Sequence, residues 1–149
     1  MTDRPNLAST DRSLPFALIR AREAMLRELR PMLAEAGVSE PQWRILRVLI
    51  EAGPLSGHAL AEAACLQQAS VSRLVHSMVE RNLLVRDKDQ GNRRRQIIAV
   101  SPAGRALIAE FSARSRTVTH GFITRFGEER YALLLDLLGE FNALTSPQD

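Results

Sequence analysis

The chain has 149 residues, of which 45% are hydrophobic and 25% charged, with a net charge of +3. This length is sufficient for one hydrophobic core, so the simplest organisation is a single domain over residues 1–149. No apolar run approaches the ~20 residues that span a bilayer, and residues 1–12 lack the apolar core of a secretory signal. A single cysteine excludes an internal disulfide. We therefore expect a cytoplasmic protein.

The first predicted element is a long helix that Ser13 can cap. Its apolar residues recur at spacings of three and four. Pro31 should kink this helix or end it near Arg30, because proline lacks the backbone N–H and clashes with the preceding turn. Gly37 is a plausible residue for the C-terminal stop.

Ser39 and Gln42 form a capping-box pattern, which predicts the start of a second helix. This helix is expected to bury Trp43, Leu46, Leu49 and Ile50. Gly53 and Pro54 then break the chain. Ser56 can cap a short third helix, whose predicted inner residues are Leu60, Ala63 and Ala64.

The next helix carries the clearest functional signal. Its apolar residues form one stripe: Val71, Leu74, Val75, Met78 and Val79. The opposite face must then be exposed. That face holds the residue types that reach base edges and phosphates in a major groove, namely Ser70, Ser72, Arg73, His76 and Ser77.

A two-stranded hairpin is predicted to follow this helix directly. The first strand begins at Leu83, and the second runs from Gln96 to Val100. The turn is polar and ends in Asn92, Arg93, Arg94 and Arg95, where a guanidinium could enter a minor groove or bind phosphates. Ser101 and Pro102 then predict the N-cap and first residue of another helix.

The basic excess is confined to this segment. Residues 67–105 contain eight basic and three acidic side chains, a net charge of +5, whereas the whole chain carries only +3. A solvated charged face is the commoner meaning of an arginine cluster. The helix followed by a hairpin favours a nucleic-acid surface instead.

The order of elements predicts a mainly α fold with a small β-hairpin wing, a winged helix-turn-helix. Two further helices are expected, from Pro102 to about Phe126 and from Glu128 to about Leu144. Their apolar stripes, with that of the first helix, exceed what one small core can cover, which indicates a second copy as partner.

The wing resembles that of the MarR family of bacterial transcription regulators, and the resemblance extends over nearly the whole chain. The residues that match the family pattern are Asp89, Asn92, Arg93, Arg94, Ile98, Val100, Ser101 and Gly104. Gln90 stands where proline is common. Within the family, the segments 21–24, 42–45 and 64–66, together with Pro31, are similar to regulators of homoprotocatechuate (4-hydroxyphenylacetate) degradation operons.

This resemblance implies a homodimeric repressor that binds a palindromic operator and is released by a phenolic acid. Residues 13–36 and 102–145 would be dimerisation helices, and 39–101 the DNA-binding lobe. An aromatic carboxylate needs a cationic side chain and a flat apolar wall. The candidates are Arg22, Trp43, Arg44 and His58.

Each of these candidates has a simpler interpretation. Arg22 could form only a surface ion pair, Trp43 is first a core residue, and Arg44 could be a solvated charge. His58 could contact a DNA phosphate or solvent. No cofactor is predicted.

Cys65 is expected to pack as a small hydrophobic side chain rather than to sense oxidants. Cys65 and the three histidines, His58, His76 and His120, do not have the spacing of a metal site.

Other functional classes remain open at this point. The chain has no G-x-S-x-G, H-E-x-x-H or glycine-rich phosphate loop, so we do not expect an enzyme. The alternatives are a nonspecific architectural DNA-binding protein, a regulator of the same family that responds to oxidants or other ligands, and an interaction module that does not bind DNA.

Overall fold

The computed structural model describes residues 9–88, 90–92 and 94–144, and it shows a mainly helical fold with one small antiparallel sheet. A short 3₁₀ turn at Thr10–Arg12 precedes the first helix. The helices are α1 (Leu14–Ala36), α2 (Glu40–Ala52), α3 (Gly57–Ala63), α4 (Gln68–Glu80), α5 (Pro102–Phe126) and α6 (Glu128–Ala143). The strands are β1 (Leu55–Ser56), β2 (Leu84–Lys88) and β3 (Gln96–Val100). The predicted fold class is confirmed.

The chain divides into two compact units. One contains the described residues up to Met25 together with those from Ser115 onward, and the other contains residues 26–114. Helices α1 and α5 each contribute residues to both units. None of the helices among the described residues is long and apolar enough to span a bilayer.

Helix α1 begins at Leu14, as predicted, but it does not end at Pro31. It continues to Ala36, with the proline inside the helix. The stop is at Gly37, whose φ of 67° is accessible to glycine at little cost. The backbone N–H groups of Gly37 and Val38 donate to the carbonyls of Ala34 and Leu33, which is the hydrogen-bond pattern of a Schellman motif.

The predicted capping box of α2 is present in full. The Gln42 backbone N–H donates to Ser39 Oγ at 3.3 Å, and the Ser39 N–H donates to Gln42 Oε1 at 2.9 Å. The helix buries Trp43 and Leu46, as expected, but Ile50 is 37% exposed. Ile50 lies in the last turn of α2, where burial depends on what packs against the end of the helix and not on periodicity alone.

Ser56 caps α3, as predicted, because its Oγ accepts a hydrogen bond from the Ala59 N–H at 3.2 Å. Ala63 is exposed, however, and Ala61 takes the buried position next to Leu60. The prediction that Cys65 packs as a small hydrophobic side chain is also wrong. This residue is exposed and has a φ of 51°, because it occupies the left-handed position that ends α3.

The turn between α3 and α4 is held by Arg44 of α2. One of its terminal nitrogens, Nη1, donates to the carbonyls of Ala64 at 2.9 Å and Cys65 at 3.3 Å. Nε and Nη2 donate to the Glu40 carboxylate at 3.0 and 2.6 Å. The hydrogen bonds to Glu40 raise the pKa of Arg44 above its ordinary value. Arg44 therefore links α2 to the segment that leads into α4.

The three strands form one antiparallel sheet in the order β1-β3-β2. The predicted hairpin is confirmed, with Leu84 paired to Val100 and Lys88 paired to Gln96. Strand β1 was not predicted. Its two residues, Leu55 and Ser56, pair with Ile98 and Ile97 of β3, and a segment of two residues is too short to show a hydrophobic alternation.

The residues that follow α4 are in close contact with the start of α5. Ser101 is buried, and its hydroxyl donates to the Asn82 carbonyl at 2.5 Å while accepting from the Gly104 N–H at 3.0 Å. The predicted N-cap is thus confirmed. A methyl group at Gly104 would lie 2.2 Å from the Leu83 carbonyl oxygen, so only glycine allows this approach.

Replacement of Gly104 by alanine should lower the free energy of unfolding by about 1–3 kcal/mol or more, because backbone atoms cannot move aside for the added methyl group. Urea denaturation would measure the change. The matched control is Gly139→Ala in α6, where the methyl group meets nothing within 4 Å. This control should be neutral or stabilising by about 0.5–1 kcal/mol. Equal effects of the two substitutions would contradict the close approach.

Replacement of Arg44 by methionine should also lower the free energy of unfolding, by about 1.5–3 kcal/mol, the usual range for hydrogen bonds to a charged group. The exposed Arg47 of the same helix provides the control, and Arg47→Met should change the free energy by less than about 0.5 kcal/mol. Thermal or urea unfolding of both variants checks this. If both substitutions were equally mild, Arg44 would not hold the α3–α4 turn.

Candidate DNA-binding surface

Helix α4 presents the predicted polar face outward. Val71, Val75 and Met78 are at most 2% exposed and pack into the core. Ser72, Arg73 and His76 are exposed on the other side, and Ser70 and Ser77 are half-buried. Burial of each large apolar side chain contributes roughly 1.5–3 kcal/mol, and rotation of the helix would expose them. The core therefore fixes which face of α4 is available to a partner.

His76 lies between two charged side chains at the end of α4. Its Nδ1 is 3.5 Å from Nη2 of Arg86 on β2, and its Nε2 is 3.4 Å from a carboxylate oxygen of Glu80. A guanidinium can only donate. Nδ1 therefore accepts from Arg86, which leaves the ring proton on Nε2, a tautomer assigned from this contact. This contact connects β2 to the exposed face of α4.

The turn of the hairpin is built on Asn92. Its Oδ1 accepts from the Arg94 backbone N–H at 3.1 Å, and its carbonyl accepts from the Arg95 N–H at 2.8 Å. Asn92 therefore shapes the turn that carries these arginines. Arg93, the other arginine predicted at this tip, lies outside the described residues, as does Asp89 of the family pattern.

A groove with a volume of about 550 Å³ lies between α3, α4 and the hairpin. We call it the basic groove. Its lining residues are Ser56, Gly57, His58, Gln68, Val71, Ser72, Val75, Arg86, Arg94, Arg95, Gln96 and Ile98. Three guanidiniums and one imidazole thus surround a partly apolar floor, which is a site suited to an anionic group.

Two arginines of this region have exposed side chains without a partner in the part of the chain that the structure describes. Among the described residues, neither Arg73 nor Arg94 has a side-chain hydrogen bond or an ion pair, and both are exposed. Arg73 borders a shallower cavity of about 360 Å³, which is lined by Pro41, Gln42, Leu66, Ser70, Leu74 and Ser77 as well. A guanidinium without a protein partner can bind phosphate without breaking an existing interaction.

The four residues predicted to bind an aromatic acid do not meet in the basic groove. His58 lines it and is hydrogen-bonded to Gln68, with Glu62 at 3.4 Å. Trp43 is 5% exposed in the core, and Arg44 holds the α3–α4 turn. Arg22 is exposed on the part of α1 that belongs to the other unit.

Some residues of the groove were not singled out from the sequence. The sequence marks Arg86 only as one of the basic residues and Gln96 only as the start of a strand, and it gives no signal for Gln68. Strand alternation is the signal that could have indicated Arg86. Residues two apart in a strand lie on the same face, so Arg86 shares a face of β2 with the buried Leu84. The described residues contain no cluster of three His, Cys, Asp or Glu side chains that could hold a metal ion.

Residues 38–95 match the MarR family. Over 128 residues the chain is 33% identical to the HTH-type transcriptional regulator FarR of Neisseria gonorrhoeae, covering 86% of this chain and 88% of FarR. It is 32% identical to the homoprotocatechuate degradative operon repressor of Escherichia coli, covering 89% of each protein.

A solved structure of NadR in complex with 4-hydroxyphenylacetate is 31% identical and superposes with a TM-score of 0.79, covering 95% of this chain and 97% of NadR. The winged helix, the basic groove and these similarities agree with one another. The chain belongs to the MarR family of transcriptional regulators.

Proposed function

We propose that this regulator is a homodimeric, sequence-specific repressor of an operon for the breakdown of an aromatic acid, and that a phenolic carboxylate releases it from DNA. The observation that carries the DNA-binding part is the outward polar face of α4 beside a groove with three arginines. The effector part is supported by the names of two relatives, the homoprotocatechuate operon repressor and NadR bound to 4-hydroxyphenylacetate.

In this proposal α4 enters the major groove of DNA. Its candidate contacts are Ser70, Ser72, Arg73, His76 and Ser77, whose donors suit base edges and phosphates. The hairpin would reach the adjacent minor groove or its phosphates through Arg93 and Arg94. Asn92 would contribute by shaping the turn. Phosphate contacts would set the salt dependence, and base contacts the sequence preference.

The proposed dimer is supported by exposed apolar side chains on α6 and α1. Those on α6 include Leu133, Leu135, Leu137 and Phe141, which are 46–56% exposed. On α1, Phe16 and Ile19 are 46% and 65% exposed. A twofold dimer would place two copies of α4 about one helical turn of DNA apart, on a palindromic operator. Such a regulator would act in the cytoplasm.

Among the four candidate effector residues, Arg44 and Trp43 are the least accessible to a ligand. The guanidinium of Arg44 already donates to Glu40 and two carbonyls, so a ligand would have to replace those bonds. Trp43 could offer only a small part of its ring. Arg22 carries the charge that a carboxylate requires.

Replacement of Arg73 by methionine should weaken binding to DNA about three- to tenfold and lower the slope of log affinity against log salt by about one, since one phosphate contact would be lost. The probe is the duplex that the full-length protein selects from a random pool. Arg105→Met removes the same charge from the start of α5, outside the linings of both the basic groove and the cavity that Arg73 borders. Its effect should be clearly smaller.

The binding assay also separates the rival functions. A nonspecific architectural protein would select no sequence from the pool, and unlabelled competitor DNA would abolish its binding. A module that does not bind DNA would retain no duplex. Either result would contradict the proposal.

Addition of 4-hydroxyphenylacetate should raise the melting temperature of the wild-type protein and release the selected duplex. A ligand at 100 times its Kd stabilises the folded state by about 2.7 kcal/mol. The matched probe is 4-hydroxyphenylethanol, which lacks the carboxylate and should have a much weaker effect. Arg22→Met should reduce both responses but leave DNA affinity unchanged. Equal stabilisation by acid and alcohol would exclude a carboxylate-binding site.

A further inference from the structure

We infer that Arg95 is a positioning residue, which fixes the hairpin to helix α3, and that its neighbour Arg94 is the arginine available to DNA. The inference rests on the proposed DNA binding, and it assigns different roles to two adjacent residues of the same charge. The sequence alone would give both the same role.

The side chain of Arg95 is already engaged within the protein. Its Nη2 donates to Ser56 Oγ at 3.1 Å, across 39 residues of sequence. Ser56 is 5% exposed, and it pairs with Ile97, two residues after Arg95, in the central strand β3. The bond therefore joins the turn of the hairpin to strand β1, which directly precedes α3.

The acceptor is itself held in place. Ser56 is the N-cap of α3, and its Oγ also accepts from the Ala59 N–H at 3.2 Å. A hydroxyl oxygen has two lone pairs, so the two hydrogen bonds are compatible. Because the cap fixes the hydroxyl, the Arg95 guanidinium has a rigid partner. Contact with DNA through the same nitrogen would require this bond to break.

Arg94 differs from Arg95 in this respect. Its backbone N–H donates to Asn92 Oδ1, but among the described residues its guanidinium has no partner. The turn at Asn92 thus fixes the backbone of both arginines, but of the two side chains only that of Arg95 has a partner within the described residues. Loss of Arg94 should remove a charge contact, whereas loss of Arg95 should loosen the hairpin relative to α3 and α4.

Salt dependence distinguishes these two roles. We expect Arg94→Met to weaken binding to the selected duplex and to lower the salt slope by about one, as for any lost phosphate contact. Arg95→Met should weaken binding about three- to tenfold with a nearly unchanged slope. A slope that falls equally for both variants would show that Arg95 also contacts phosphate, and it would overturn the inference.

A double-mutant cycle tests the role of Ser56. Ser56→Gly removes the hydroxyl, and glycine at an N-cap costs only a few tenths of a kcal/mol. If Arg95 acts through Ser56, Arg95→Met should have little further effect on DNA affinity in the Ser56→Gly background. Additive effects would contradict the inference. The unrelated pair Arg94→Met and Ser56→Gly should be additive.

Hydrogen exchange provides a readout that does not depend on DNA. In the free protein, Arg95→Met should speed exchange of the β1–β3 backbone amides, and Arg94→Met should not. If the wild-type protein selects no duplex, the proposed function fails, and unchanged exchange in Arg95→Met would then reject the positioning role independently.

Discussion

The buried stripe of α4 is the constraint on which the rest of the DNA-binding unit depends. Val71, Val75 and Met78 pack against the core, so the angular position of the helix is set by hydrophobic burial rather than by its polar residues. The serines, Arg73 and His76 face outward because the opposite, apolar face of α4 is buried in the core. Polar contacts with neighbouring elements, such as that between His76 and Arg86 of β2, are individually weaker than this burial.

The arginines of this unit are of two kinds. Some bond to other parts of the protein, and others are available to a ligand. Arg44 holds the turn before α4, and Arg81, the residue after α4, donates to the Gly37 carbonyl at 2.6 Å. Arg114 forms a bidentate pair with Glu35, which holds the pKa of that carboxyl below its ordinary value. Arg73 and Arg94 have no such partner among the described residues. The net charge of a segment therefore overstates the number of cations available to a polyanion.

Most of the fold could be predicted from local signals, because caps and apolar periodicity act over a few residues. Ser39, Ser56 and Ser101 all cap helices where the sequence indicated. The errors have nonlocal or geometric causes. Helix α1 does not end near Arg30 but continues past Pro31 to Ala36. Strand β1 is too short to show a period, and Cys65 is exposed at the left-handed position that ends α3. The carbonyl of Ala64 lies 20 residues from Arg44, and Ser56 lies 39 residues from Arg95. No sequence pattern reaches that far, so these contacts appear only in the structure.

The exposed position of Cys65 has a practical consequence. It is the single cysteine of the chain, and it lies three residues before the first residue of α4. A thiol-reactive spin label or fluorophore would attach there without any substitution, at one site per copy. If two copies pair about a twofold axis as proposed, the distance between two such labels would report the separation of the two α4 helices.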